Sequence, residues 1–152
     1  MTSQNEYRAG FGARVTQTAR LWRRAVDHRL QPFGLTEATW LPLLRLARAA
    51  VPLRQKDLAD SLSLDGSSVV RLLDVLQSAG LISRREEDSD RRAKAIFLTP
   101  LGLATVQKVE TVAQKVRDDA LAGLSDYEIE TASRVLAHIC RALASSSEER
   151  AA

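Results

Sequence analysis

Val69, Leu72, Leu73 and Leu76 fall at i, i+3, i+4 and i+7 and form one apolar stripe, which leaves Ser67, Arg71, Asp74 and Ser78 on the opposite face of the same helix. Asp65 stands where an N-cap is needed. Gly80 followed by Leu81 suits a left-handed stop whose apolar follower packs back on the last turn. The period then changes. Leu81 to Arg85 and Lys94 to Thr99 read as two short strands, with Ile82, Ile96, Phe97 and Leu98 as β-formers around a polar tip from Glu86 to Ala93. Upstream, LRQKDLADSL from Leu53 to Leu62 predicts a short helix with Leu58, Ala59 and Leu62 inward, separated from the next by a turn at Ser63 to Gly66. Helix, turn, helix and hairpin in that order make a winged helix-turn-helix.

Helical stripes also flank this core on both sides. The stretch from about Gly12 to Leu30 carries Val15, Ala19, Trp22, Val26 and Leu30, and a second helix is expected over Thr36 to Ala49, with Pro42 bending it or shortening its start. Thr99 as N-cap with Pro100 at the first position opens another helix, striped by Val106, Val109, Ala113 and Val116. Ser125 and Glu128 form a capping box ahead of Ile129, Ala132, Leu136, Ile139 and Leu143. These helices carry more apolar surface than one small domain can hide, so association of two chains is expected; packing on the winged helix within one chain is the alternative, and periodicity does not separate the two. The fold class is mainly α with a small β-wing. One domain over 1–152 is expected, with dimerisation helices at 1–34 and 100–145, the winged helix-turn-helix at 35–99 and a flexible polar tail at 146–152.

The polar faces carry the chemistry. Small hydroxyls at the helix start, Ser67 and Ser68, let the backbone approach base edges, and Arg71 is the residue best able to read guanine. Arg91 and Arg92 project from the hairpin tip far enough to reach an adjacent minor groove, Asp90 can orient one of them, and Arg84 and Lys94 add cations at the flanks. The acidic run Glu86 to Asp88 is expected to pair with Arg84 or Arg85. A charge-rich hairpin alone is usually a solvated surface; the helix-turn-helix ahead of it points instead to duplex DNA.

Composition adds limits. The formal charge of +3 and a pI near 9.4 permit an anionic partner without requiring one. No apolar run reaches the ~18 residues of a membrane span, and MTSQNEYRAG at the start lacks a basic-then-apolar export pattern, so a cytoplasmic protein is expected. The single cysteine, Cys140, excludes an internal disulfide and reads as a packed, inert thiol. An enzyme fares poorly: His28 and His138 stand alone, Ser67 and Ser68 have no nearby histidine, and Glu86 and Glu87 are adjacent rather than opposed. No metal or cofactor is expected. A winged helix used for protein or RNA contact is the alternative, against which Arg71 and Arg92 favour duplex DNA.

The wing residues Asp90, Arg91 and Arg92, followed by Ala93, Lys94, Leu98, Thr99 and Gly102, together with the run WRRAVDHRLQPFGLTEATW from Trp22 to Trp40, resemble the MarR family of bacterial transcriptional regulators, and within it the SlyA-like branch. The resemblance covers nearly the whole chain. It implies an obligate homodimer on a pseudo-palindromic operator and a cleft for small aromatic carboxylates. Arg20, His28, Thr36 and Trp40 offer that cleft a cation, an imidazole, a hydroxyl and a stacking plane, although Trp22 and Trp40 at helical spacing also read as core. Gln17 stands where the family carries a second arginine, which should weaken carboxylate binding or change the ligand. The wing is also more acidic than in that branch, and the N-terminal cysteine of peroxide-sensing relatives is absent.

Overall fold

The structure is a computed structural model that describes residues 2–87 and 90–151, and the side chains of residues 4–86 and 94–146. Contacts divide the chain into two compact units, Met1–Val116 and Arg117–Ala152.

The first unit begins with α1 (Thr2–Ala9), then α2 (Phe11–Leu30) and a 3-10 turn that Gly34 closes in the left-handed region at φ 71°. The predicted stripe locates α2 to within a residue; α1 was not expected, because Thr2–Ala9 has no apolar stripe. Next come α3 (Glu37–Arg48), α4 (Gln55–Leu62), α5 (Gly66–Ser78), β1 (Ile82–Glu87), β2 (Asp90–Leu98) and α6 (Pro100–Leu121), whose last turn enters the second unit. The helix α3 runs through Pro42 rather than being shortened by it: Thr36 caps it in extended backbone, its carbonyl accepting from both Thr39 and Trp40 at 2.9 Å. Pro42 removes one amide from the ladder and is buried, so its ring offsets part of the lost bond by packing.

Two apolar cores result. Leu43, Leu58, Val69, Leu73, Leu76, Ile82, Ile96 and Val106 fill one, under the helix-turn-helix and wing. Val26, Leu30, Trp40, Leu44, Val109 and Val116 fill the other. Both α3 and α6 contribute to each, Leu43 and Val106 to the first and Leu44 and Val109 to the second. A bidentate pair, Arg48 to Glu110 with both bonds at 3.1 Å, joins these two helices at the surface.

The strands approach the tip more closely than polarity led us to expect, with Glu86 opposite Lys94 and Glu87 opposite Asp90 across a register shift. Glu86 and Lys94 are opposite charges facing across the antiparallel pair and support the ladder that far, whereas Glu87 and Asp90, beyond the register shift, are like charges and do not. The residues ahead of α4 join this ribbon: Arg54 bridges Ala95, and the Ile96 N–H donates to the Leu53 carbonyl at 2.9 Å. A single bridge leaves no alternation to read, so sequence gave no sign of it.

The end of α5 and the start of α6 meet at one junction. Gly80 adopts φ 73°, and the Leu81 N–H returns to the Leu76 carbonyl at 3.0 Å, the expected stop. Thr99 caps α6 as predicted, its hydroxyl accepting from the Gly102 N–H at 3.0 Å and donating to the Gly80 carbonyl at 2.5 Å. Gly102 is required here, since a Cβ on it would stand 2.1 Å from the Leu81 carbonyl oxygen.

In the second unit, α7 (Asp126–Ala151) opens with the expected capping box: the Ser125 amide donates to Glu128 at 2.8 Å, and the Glu128 amide donates to the Ser125 hydroxyl at 3.3 Å. The Ser125 amide, and after it the Ser125 hydroxyl donating to the same carboxylate at 2.8 Å, hold the Glu128 carboxyl below its ordinary range. The helix continues to Ala151, where a flexible tail over 146–152 was expected; the Ser145 and Ser146 hydroxyls donate back to the carbonyls of Arg141 and Ala142, so they take up bonds within the helix. None of the described side chains of α7 is buried in the single chain. Cys140 is exposed, which corrects the reading of it as a packed thiol: it lies off the Ile129–Ile139 line. Among the described residues, no helix is long and apolar enough to cross a membrane.

Gly102→Ala is expected to destabilise the protein by about 1 to 3 kcal/mol, the usual range for an overpacked site, with the backbone oxygen as the obstacle. Urea unfolding followed by circular dichroism measures it; a midpoint like that of the native chain would show that the junction tolerates a methyl group.

Candidate nucleic-acid interface

The outward face of α5 starts at a polar knot. The Asp65 carboxylate accepts from the Ser68 amide at 2.7 Å, the Ser67 hydroxyl at 2.7 Å and the Ser68 hydroxyl at 3.0 Å. Led by the Ser67 hydroxyl, these donors hold its pKa at about 2 against an ordinary 3.8. The cap predicted from sequence is thus present. It also engages both serine protons, leaving the hydroxyl oxygens of Ser67 and Ser68 as acceptors. Ser67 and Arg71 are exposed on this face, and Ser68 is half-buried. Val70, exposed beside Arg71, was not singled out from sequence; the signal was its place off the buried stripe.

At the other end of that face the wing is braced to the helix. Arg84 on β1 donates from Nη2 to Asp74 and from Nε to Gln77, both at 2.6 Å. This corrects the expectation that Arg84 would pair with the acids of Glu86 to Asp88: the antiparallel register turns it towards α5, away from the tip. Arg85 lies over the Phe97 ring at 4.1 Å from its centroid, a cation–π contact; the side chains of Glu87 and Asp88 lie outside the described residues. Lys94 is exposed, on the strand opposite Glu86. The side chains of Asp90, Arg91 and Arg92 lie outside the described residues.

The four residues grouped for an effector do not converge. Arg20 lines a groove of about 440 Å³ with Val15, Thr16, Ala19, Arg23 and Glu37. Trp40 is core, 3% exposed, with its indole N–H donated to Asp27 at 3.3 Å, so it presents no stacking plane to that groove. His28 and Thr36 are exposed and line neither it nor its neighbour. That neighbouring groove, about 450 Å³, is walled by Leu41, Pro42, Leu62 and Leu72 and reaches Ser68 on α5. Arg23 and Glu37, 4.0 Å apart, line both grooves. Sequence reasoning passed over this pair, because each residue looks like ordinary surface until α2 and α3 are brought together. Among the described residues, no group of three or more His, Cys, Asp or Glu could hold a metal.

A buried-face helix stopped by glycine, a hairpin braced to its polar side and a flanking helical frame together define a winged helix-turn-helix protein. Comparison with known proteins gives the family. The MarR family model matches residues 33–93. The chain is similar to the transcriptional regulator PA3341, at 41% identity and a TM-score of 0.83, over 89% of this chain and 98% of that one. It is also similar to CouR from Rhodococcus jostii RHA1 bound to p-coumaroyl-CoA, at 26% identity and a TM-score of 0.75, covering 85% of this chain and 90% of that one. MepR from S. aureus, solved with DNA, matches at 25% identity and a TM-score of 0.74, over 87% of this chain and 97% of that one. The chain belongs to the MarR family of transcriptional regulators, which are non-enzymatic DNA-binding proteins.

The Asp65 knot has a pH signature. Its folded-state pKa of about 2 lies below the ordinary 3.8, so its contribution to stability is complete above that ordinary value and is lost as pH falls towards 2. Urea midpoints of the native chain and of Asp65→Ala are expected to differ most near neutral pH and to converge as pH falls towards 2; a constant difference down to pH 2 would assign the cap to the serines instead.

Proposed function

We propose that the protein acts as a homodimer on a pseudo-palindromic duplex operator, with α5 in the major groove and the wing in the adjacent minor groove. The observation that carries this reading is the exposed α5 face, with Ser67 and Arg71 free of the core and the hairpin braced to the same face through Arg84. In this reading Ser67, Ser68 and Arg71 contact base edges. Arg91 and Arg92 enter the minor groove, Asp90 orients them, and Lys94 serves the backbone. With their protons held by Asp65, the serine oxygens favour bases that present an amino group, while Arg71 favours guanine. The structure of MepR with DNA supports duplex DNA as the partner.

Dimerisation is supported by what the single chain leaves uncovered. Val135, Leu136 and Leu143 on α7 are 42%, 45% and 66% exposed, and Phe11 and Val15 on α2 are exposed as well. Apolar stripes of this length are normally covered by a second chain. Residues 1–34 and 100–145 supply that frame and 35–99 supply the DNA-binding part.

A small aromatic acid is the effector we assign, and CouR with its bound p-coumaroyl-CoA supports an aromatic acyl ligand. The site shifts from the four residues first grouped to the paired grooves around Arg20 and Arg23, with His28 and Thr36 at most on the approach. The SlyA-like assignment rests on the wing and first-helix residues, to which the comparisons add a shared fold and nothing finer. Duplex DNA as target places the protein in the cytoplasm.

Fluorescence anisotropy of the protein on the duplex from its own upstream region, against a shuffled duplex, tests the reading. Selective binding is expected, and Arg71→Ala should reduce operator discrimination by about 1 to 3 kcal/mol. Equal loss on both duplexes would make Arg71 a phosphate contact, and no selectivity in the native protein would return the fold to protein or RNA contact.

A further inference from the structure

Between the start of α4, the end of α5 and both wing strands lies a recess of about 570 Å³ lined by Arg54, Lys56, Arg84 and Lys94 together with Gln77, and no carboxylate stands among its described lining residues. Four cations around one hollow repel one another, a cost that an anion seated there would offset. Their charges are not equally available. Arg84 is taken up by Asp74 and Gln77, each bond 2.6 Å, and Arg54 sits in the capping position of α4. Lys56 and Lys94 are exposed, and no ion pair is recorded for either among the described residues.

The position of the recess identifies what it meets. A helix in the major groove and a wing in the neighbouring minor groove straddle one sugar-phosphate strand, because a strand of the duplex always separates the two grooves. That strand must cross the ground between α5 and the wing, where this recess lies. We infer that the recess is the seat of that strand, with Lys56 and Lys94 each neutralising one phosphate while Arg84, braced against α5, sets the spacing of its walls. The inference rests on the operator reading above and adds Lys56 and Arg54 to the interface. It also assigns Arg84 as a positioning residue and not a phosphate ligand.

The test uses the full-length protein, with Lys56→Gln and Lys94→Gln, which keep most of each stem, titrated with salt on operator and shuffled duplexes. Each neutralised phosphate contributes about 0.9 to the slope of log affinity against log salt. Each variant is expected to lower that slope by about one on both duplexes, leaving the operator-to-shuffled ratio unchanged. An unchanged slope for both variants overturns the seat, as does a change in the ratio, which would make them base readers. Because the slope is also read on the shuffled duplex, the seat is tested even if the native protein proves unselective. Asp74→Asn separates the positioning role: removal of a negative charge beside DNA should tighten binding if charge alone matters, and weaken it if Arg84 must be held. Tighter binding overturns the role of Arg84.

Discussion

The carbonyl of Leu81 accepts the Thr99 N–H at 3.1 Å, and a Cβ on Gly102 would stand only 2.1 Å from the same oxygen. At this point the recognition helix has just ended, the wing has begun and returned, and α6 starts. The hydroxyl of Thr99 closes the circle by bonding both the Gly80 carbonyl and the Gly102 amide. Two glycines are needed for opposite reasons: Gly80 for its positive φ, Gly102 because no side chain fits. Both α5 and the wing, the parts proposed to meet DNA, are thereby fixed to the start of α6. Movement of α6 would be delivered to α5 and the wing together.

That rigidity gives the two apolar cores a mechanical relation. Leu43 and Leu44 are neighbours on α3 but belong to different cores, and Val106 and Val109 divide likewise on α6. A side chain shift in one core is felt in the other through a close-packed helix. The apolar groove lies against this arrangement, with Leu41 and Pro42 on one wall and Leu72 and Ser68 of α5 on another. An occupant would therefore press on the recognition helix near its N-terminus. By linkage, whatever a ligand gains from one placement of α5 over another is the amount by which it can alter DNA affinity.

Much of this was legible because it is local. Asp65, the Gly80–Leu81 stop, Thr99 with Pro100, and Ser125 with Glu128 each act within a few residues, and each stands where its spacing predicts. Stripes at helical period, with their caps, located α2, α3, α4 and α5 to within two residues, and the start of α6. What was missed depends on distant pairing. Nothing near Arg84 in sequence points to Asp74 and Gln77, and nothing at Leu53 announces its bond to Ile96. The effector grouping meets the same limit: chemical types can be grouped along a chain, but only packing decides that Trp40 turns its N–H to Asp27 while Arg23 and Glu37 share a groove. Family resemblance carried the fold and class, which conserve local signals, further than it carried the site.

Charge at the interface is finely divided. Asp65 is taken up by Ser67 and Ser68 at the N-terminal end of α5, Asp74 holds Arg84, and Glu86 stands opposite Lys94, so acids are interspersed with the cations there. A net charge of +3 over 152 residues adds little general attraction. Under the operator reading proposed above, such a surface should hold random duplex weakly, because non-specific binding comes almost wholly from phosphate neutralisation. Selectivity is then gained less by tight gripping than by low background: a geometrically correct site can satisfy Arg71 and the recess lysines at once, whereas an incorrect one leaves the acids facing phosphate.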